Sequence, residues 1–250
     1  MPESRLMNSV RSLLFLLLQT LLTLPYGLLG LVTLGLPRLA RYRLIRTWST
    51  MVMVLVGWVL GIRYRVEGLE NLPLRADGTP SEPVVILSKH QSAWETIAFQ
   101  QIFPPLSFVL KRELLRLPFF GWGLAAFSPI AIDRGAGREA LKQLVEQGQA
   151  RLAAGFWVIV FPEGTRIAPG ERGNYQVGGA WLACKAGVPV VPVAHNAGEC
   201  WKKNALVKQA GQITVRIGIP IATAGRKPAE VNAEVEAWIE AQMLTLPPPR

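Results

Sequence analysis

Apolar and polar positions fall into distinct patterns along this chain. Two long uncharged stretches, 12–36 and 47–62, occupy the N-terminal quarter. Beyond them, short apolar runs rich in valine and isoleucine are bounded by glycine, proline and polar turn residues. These predict strands near 63–67, 84–88, 107–110, 129–133, 157–161, 190–194 and 213–217. Between the runs, apolar residues recur at helical spacing over 92–102, 138–154, 178–186 and 229–243. Leu141, Leu144, Val145 and Leu152 share one stripe in the second of these helices. Val231, Val235, Trp238 and Ile239 do so in the last, before Pro247, Pro248 and Pro249 stop it. The alternation of strand and helix predicts an α/β domain over 63–250, a central, mostly parallel or mixed sheet of about seven strands flanked by helices. Residues 1–62 read as a membrane-associating helical hairpin ahead of it. The segment 74–83 is a surface turn.

The N-terminal stretches differ in reach. As a straight helix, 12–36 would run roughly 37 Å, enough for a hydrocarbon core of about 30 Å, whereas 47–62 would reach only about 24 Å. Arg38, Arg41, Arg43 and Arg46 lie in the linker between them, and Arg63 and Arg65 follow. A single span with its N-terminus inside would put the four-arginine linker outside, against the positive-inside tendency. Pro25 favours a kinked or re-entrant hairpin whose ends return to one face. An N-outside first span would also keep the arginines inside. A cleaved signal peptide fits poorly, because the apolar stretch is too long and no small-residue cleavage site follows.

Charge narrows the partners. Lys and Arg number 27 against 17 Asp and Glu, a net charge of +10, which suits an anionic membrane surface or a phosphate-bearing ligand. Nucleic acid would suit it too, but no zinc-ligand spacing, aromatic-basic RNA motif or helix-turn-helix pattern accompanies the charge. The expectation is a membrane partner and no nucleic acid. Cys184 and Cys200 are far apart and match no metal pattern, which predicts free thiols in a reducing compartment.

Two segments carry chemistry. In Lys89-His90-Gln91-Ser92-Ala93-Trp94-Glu95, a histidine ends the apolar run Val84–Leu87 and a carboxylate follows about one helical turn into the next element. A lone histidine near a strand end is more often structural. Here the carboxylate can bind one imidazole nitrogen and leave the other as a base. With no serine or cysteine nucleophile beside the pair, direct attack by a substrate hydroxyl is the expected route. The second segment is Phe161-Pro162-Glu163-Gly164-Thr165-Arg166, which ends another apolar run. Gly164 lets the backbone turn, Thr165 offers a hydroxyl, and Arg166 presents a fork of donors matched to phosphate.

Together these segments resemble the glycerolipid acyltransferases, specifically the bacterial 1-acyl-sn-glycerol-3-phosphate acyltransferases. Two further blocks match that family's pattern in order. One runs from Lys111-Arg112-Glu113-Leu114 through Pro118-Phe119-Phe120-Gly121-Trp122-Gly123 to Ile130-Ala131-Ile132-Asp133-Arg134. The other is 187–194. One departure is Glu95, where the family usually carries aspartate. The resemblance implies His90 and Glu95 as catalytic residues, with Lys111, Glu163, Gly164, Thr165 and Arg166 at the substrate. It implies no metal and no cofactor. The donor would be an acyl carrier protein or coenzyme A thioester, the acceptor lysophosphatidic acid and the product phosphatidic acid. The expected location is the bacterial inner membrane, with the catalytic domain on its cytoplasmic face among membrane lipids.

Within that reading, Arg166 ranks first as phosphate ligand and Lys111 second, while Arg112 and Arg134 read as solvated. Glu163 is better suited to organising its own turn and pairing a nearby base. Pro118, Phe119, Phe120 and Trp122 fit either an acyl path or the core. His195, with no carboxylate at matching spacing, reads as structural. Two alternatives stand beside the main expectation: another lysolipid acceptor without phosphate, such as a lyso-ornithine lipid, and a non-catalytic membrane-tethered lipid-binding protein.

Overall fold

The computed structural model describes residues 2–249, without the side chains of residues 2–4 and Arg134. Two helices lead the chain, α1 (Pro2–Val32) and α2 (Arg38–Trp58). Then come β1 (Ile62–Glu67), β2 (Val85–Ser88), α3 (Trp94–Ile102) and β3 (Leu106–Lys111). They are followed by α4 (Phe120–Ala126), β4 (Ile130–Ile132), α5 (Arg138–Ala153), β5 (Trp157–Val160) and α6 (Gly178–Ala186). The chain closes with β6 (Val190–His195), α7 (Ala197–Cys200), β7 (Gly211–Ile217) and α8 (Pro228–Met243).

The seven strands form one sheet in the order β1-β7-β6-β2-β5-β3-β4. All neighbours pair parallel except β6 and β7, which pair antiparallel. Strand alternation divides the core. Ile86, Trp157, Ile159, Val191 and Val193 face one layer with α2 and α3. Val85, Leu87, Val158, Val160 and Val190 face the other, against α5, α6 and α8. The central strands are therefore apolar on both faces, as a parallel sheet covered on both sides requires.

The N-terminal helices run antiparallel. Tyr26 on α1 meets Thr47 and Met51 on α2, and Trp48 Nε1 donates to Thr23 Oγ1 at 3.2 Å. Three details differ from the sequence reading. Pro25 lies inside a continuous α1, and the chain reverses at Thr33–Gly35 and Pro37. The four arginines are not a linker but the first turns of α2. Arg41 turns inward, where its guanidinium satisfies the carbonyls of Ala126 and Leu34 and the hydroxyl of Ser128.

The helix α1 is long and apolar enough to cross a membrane, and only 17% of its most apolar window is buried. Yet it lies along the α/β domain. Phe15 is fully buried edge-on to Trp201, and Ser12 Oγ accepts the N–H of Lys208 at 2.9 Å. Farther along, Gly27 and Gly30 let α4 approach. A Cβ at Gly27 would stand 2.6 Å from the Phe119 carbonyl oxygen, and one at Gly30 would stand 2.9 Å from that of Trp122. The opposite side of α1 exposes Leu13, Leu17, Leu21, Leu24 and Leu28.

Phe15→Ala should therefore cost about 3–5 kcal/mol, a core-sized loss. Leu13→Ala, on the exposed side, should stay within about 0.5 kcal/mol. Thermal unfolding in detergent distinguishes the two, and equal effects would contradict the docking of α1.

Candidate active site

The segment Lys89–Ser92 leaves the C-terminal end of β2 at the middle of the sheet, where parallel strands bring loops together. Glu95, in the first turn of α3, folds back over it. One carboxylate oxygen, Oε1, accepts the N–H of Gln91 at 2.9 Å, the N–H of Ser92 at 2.7 Å and His90 Nδ1 at 2.9 Å. Ser92 Oγ accepts the N–H of Trp94 at 3.1 Å, so the helix begins at Trp94, two residues later than the pattern suggested. Glu95 is fully buried, and its Oε2 has no partner among the described residues. Burial alone would raise its pKa. The nearby imidazoles of His195 and His90 and the Ser92 N–H outweigh that and hold it below the ordinary carboxylate value. An ionised Glu95 accepts a hydrogen bond from Nδ1–H of His90 and leaves Nε2 as the unprotonated nitrogen. The glutamate in place of aspartate thus still reaches the ring.

The backbone of His90 is held by the other chemical segment. Its N–H donates to Glu163 Oε2 at 2.8 Å, and its carbonyl accepts the N–H of Ile167 at 2.8 Å. Its ring stacks on Phe161 with centroids 3.9 Å apart and planes 14° apart. Glu163 Oε1 pairs with Lys89 Nζ at 2.7 Å, and both side chains are essentially inaccessible. Lys89 also meets Glu240 Oε1 at 3.0 Å, which accepts the Tyr175 hydroxyl at 2.7 Å. Burial pushes the Glu163 carboxyl up despite the lysine. Glu163, expected at the substrate by resemblance, is thus turned inward, because its charge is spent on Lys89 and the His90 backbone.

His195, which the sequence marked as structural for want of a carboxylate, has one. It ends β6, beside β2, with Nε2 3.9 Å from Glu95 Oε1. Nδ1 accepts the N–H of Ala197 at 3.2 Å, so Nε2 carries the proton and donates it to the Lys89 carbonyl at 2.8 Å. Burial lowers the pKa of this ring, so it stays neutral while fixing the backbone next to His90.

A cavity of about 370 Å³ opens beside the pair, with His90, Phe161, Lys111 and Arg166 in its walls. It extends along α3 to Gln100 and, across from it, to Trp48 of α2, Phe120 and Leu124 of α4, and Phe127. Trp48, Phe120, Leu124 and Phe127 also wall a separate space of about 30 Å³. Phe120 is therefore shared by both spaces, whereas Phe119 walls only the small one and meets Trp122 at a tilt, with centroids 5.0 Å apart. Thr165 lies outside, where its hydroxyl accepts Lys203 Nζ at 3.3 Å, and Lys203 also reaches the Arg166 carbonyl at 3.1 Å. Gly164 turns the loop at φ +67° and borders a different cavity. Arg112 is exposed and donates to Gln143, and the Arg134 side chain lies outside the described residues. Cys184 and Cys200 are free, and no cluster of metal-ligand type occurs among the described residues.

A histidine oriented by a buried carboxylate at the C-terminal edge of a mostly parallel sheet, facing an apolar cavity with cations in its wall, is an arrangement suited to taking a proton from a hydroxyl. Residues 63–196 match the acyltransferase family, and the chain belongs to it. It is 46% identical over 246 residues to the 1-acyl-sn-glycerol-3-phosphate acyltransferase of Pseudomonas aeruginosa, covering 96% of this chain and 93% of that one. It is 30% identical over 200 residues to the human 1-acyl-sn-glycerol-3-phosphate acyltransferase alpha, covering 78% and 68%. Its fold matches the crystal structure of the 1-acyl-sn-glycerophosphate (LPA) acyltransferase PlsC from Thermotoga maritima, with a TM-score of 0.77, 24% identity and 95% of each chain covered.

The buried ring of His195 gives a pH dependence with a definite sign. Free imidazole takes up its proton near 6.5, but folded His195 resists it. Below that pH the unfolded chain binds more protons than the fold does, so stability falls as pH falls. Glu95 and the Lys89 carbonyl favour protonation of the ring, the His90 and Lys89 side chains oppose it, and burial is the largest influence. Urea unfolding from about pH 8 to about pH 5.5 should show this decline, and His195→Asn should flatten it. An unchanged slope would mean that the ring titrates freely.

Proposed function

We propose that this acyltransferase moves a fatty acyl group from an acyl carrier protein or coenzyme A thioester to the sn-2 hydroxyl of 1-acyl-sn-glycerol-3-phosphate, forming phosphatidic acid. The observation that carries the reading is the 2.9 Å contact of His90 Nδ1 with buried Glu95, made at the mouth of a cavity that also holds Lys111 and Arg166. The relatives from Pseudomonas and human, named for this acceptor, agree with it.

The chemistry follows from the tautomer. His90 Nε2 takes the sn-2 hydroxyl proton as the oxygen attacks the thioester carbonyl, because a free alkoxide is inaccessible near neutral pH. Glu95 stabilises the resulting imidazolium. Collapse of the tetrahedral intermediate breaks the carbon–sulfur bond, and the departing thiolate takes the proton back from His90. The products are an ester and a thiol, with no covalent acyl-enzyme. Arg166, with Lys111 beside it, binds the acceptor phosphate.

The docked, leucine-lined α1 supports membrane attachment, which we place at the cytoplasmic face of the inner membrane. Because α1 is docked on the domain from Ser12 to Gly30, it suits an in-plane position with its exposed leucines in lipid. Exposed Arg38 and Arg43 would then meet anionic headgroups, worth about 1 kcal/mol each.

Purified protein given lysophosphatidic acid and an acyl thioester should form phosphatidic acid, and His90→Ala should slow it by roughly 10²–10⁴-fold. Equal product from both proteins would sink the assignment. Arg166→Ala should chiefly raise KM for the acceptor. Trp48→Ala, which joins the cavity to the small space behind it, should shift donor preference toward longer chains. Product analysis with a mixed-length donor pool reads this directly.

A further inference from the structure

A second cavity, of about 420 Å³, lies on the opposite face of the sheet. Leu141 and Leu144 of α5, Ile132 of β4 and Val160 of β5 form much of it, with the amide of Gln176 at the approach to α6. It shares two walls with the reaction cavity: Val109 and Phe161, the ring stacked on His90. Pro162 and Gly164, from the loop that holds the His90 backbone, border it as well. The reaction described above does not use this space.

We infer that this cavity receives the phosphopantetheine arm of the acyl donor, the part that coenzyme A and acyl carrier protein thioesters have in common. The inference rests on the proposed thioester chemistry. Such a donor has two arms that diverge from the carbonyl presented to His90. The acyl arm needs an apolar space, which the reaction cavity provides between α2, α3 and α4. The other arm must leave the carbonyl in a different direction, and the second cavity begins where the first ends, across Phe161. Its composition suits the ligand: apolar walls for the dimethyl and methylene groups, and an exposed amide at Gln176 for the arm's own amides.

The position also separates the two substrates. This face is covered by α5, α6 and α8, whereas α1 packs through Phe15 into the other layer. A water-borne donor reaches it without crossing the surface that presents the lysolipid. Exposed Arg112 donates to Gln143 of α5 at 3.1 Å and exposed Arg138 begins that helix, whose Ala140, Leu141 and Leu144 line the cavity. These arginines supply cations for the phosphate that ends the arm.

Ala140, in the cavity wall on α5, provides the test. Acyl transfer by wild type and Ala140→Trp is measured with acyl-coenzyme A, acyl carrier protein thioester and a truncated acyl-N-acetylcysteamine. The advantage of the full-length donors over the truncated one should fall at least about tenfold in the variant. Arg112→Glu, a surface change, should raise KM for full-length donors more than for the truncated one. An effect with only one full-length donor would support the site and name its source. Equal losses with all three donors would overturn the proposal. So would a rise confined to the KM for lysophosphatidic acid, which would give the cavity to the acceptor's own chain. Calorimetry with 4′-phosphopantetheine separates this from the proposed reaction. Binding by wild type that Ala140→Trp abolishes supports the site even if lysophosphatidic acid is not acylated, and no binding by wild type overturns it.

Discussion

One carboxylate oxygen organises this molecule's chemistry. Glu95 Oε1 collects two backbone N–H groups and an imidazole nitrogen at 2.7–2.9 Å, while burial denies it water. An anion in such a place persists only because those donors replace its hydration. The contact therefore works in two directions. It closes the turn between β2 and α3, and it sets the tautomer of His90. The local fold of the turn and the orientation of the imidazole come from the same interaction.

The sheet supplies the rest by adjacency. β2 is flanked by β5 and β6, so three strand ends meet at His90. From β5 comes the loop with Phe161, Glu163 and Arg166, and from β6 comes His195. The buried pair of Lys89 with Glu163 is costly to desolvate and is repaid through further contacts with Glu240 and the His90 N–H. α8 thereby braces a site that its own sequence gives no sign of touching.

These relations explain what could be read in advance. All seven strands were legible because short apolar runs bounded by glycine, proline or polar turn residues have few alternatives. The approach of Glu95 to His90 was legible because it is local. Strand order was not, and with it went the contact of His195 with Glu95, two residues a hundred positions apart. The pairing of Glu163 with a base was legible, but strand order hid that the base is Lys89, at the end of the neighbouring strand. The short, glycine- and aromatic-rich α4 was missed because α1 holds it in place, through close approaches at Gly27 and Gly30 that have no local signature. Arg41 read as one of four linker arginines because its partners Ala126 and Ser128 lie far along the chain.

The clamp on His90 has an evolutionary consequence. Its N–H belongs to Glu163 and its carbonyl to Ile167, so neither segment has a conformation of its own to inherit. A chimera that takes one from a distant relative and keeps the other would join two halves of a single device cut through its hydrogen bonds. The segments are separated by some seventy residues of chain, and drift in one is a constraint on the other.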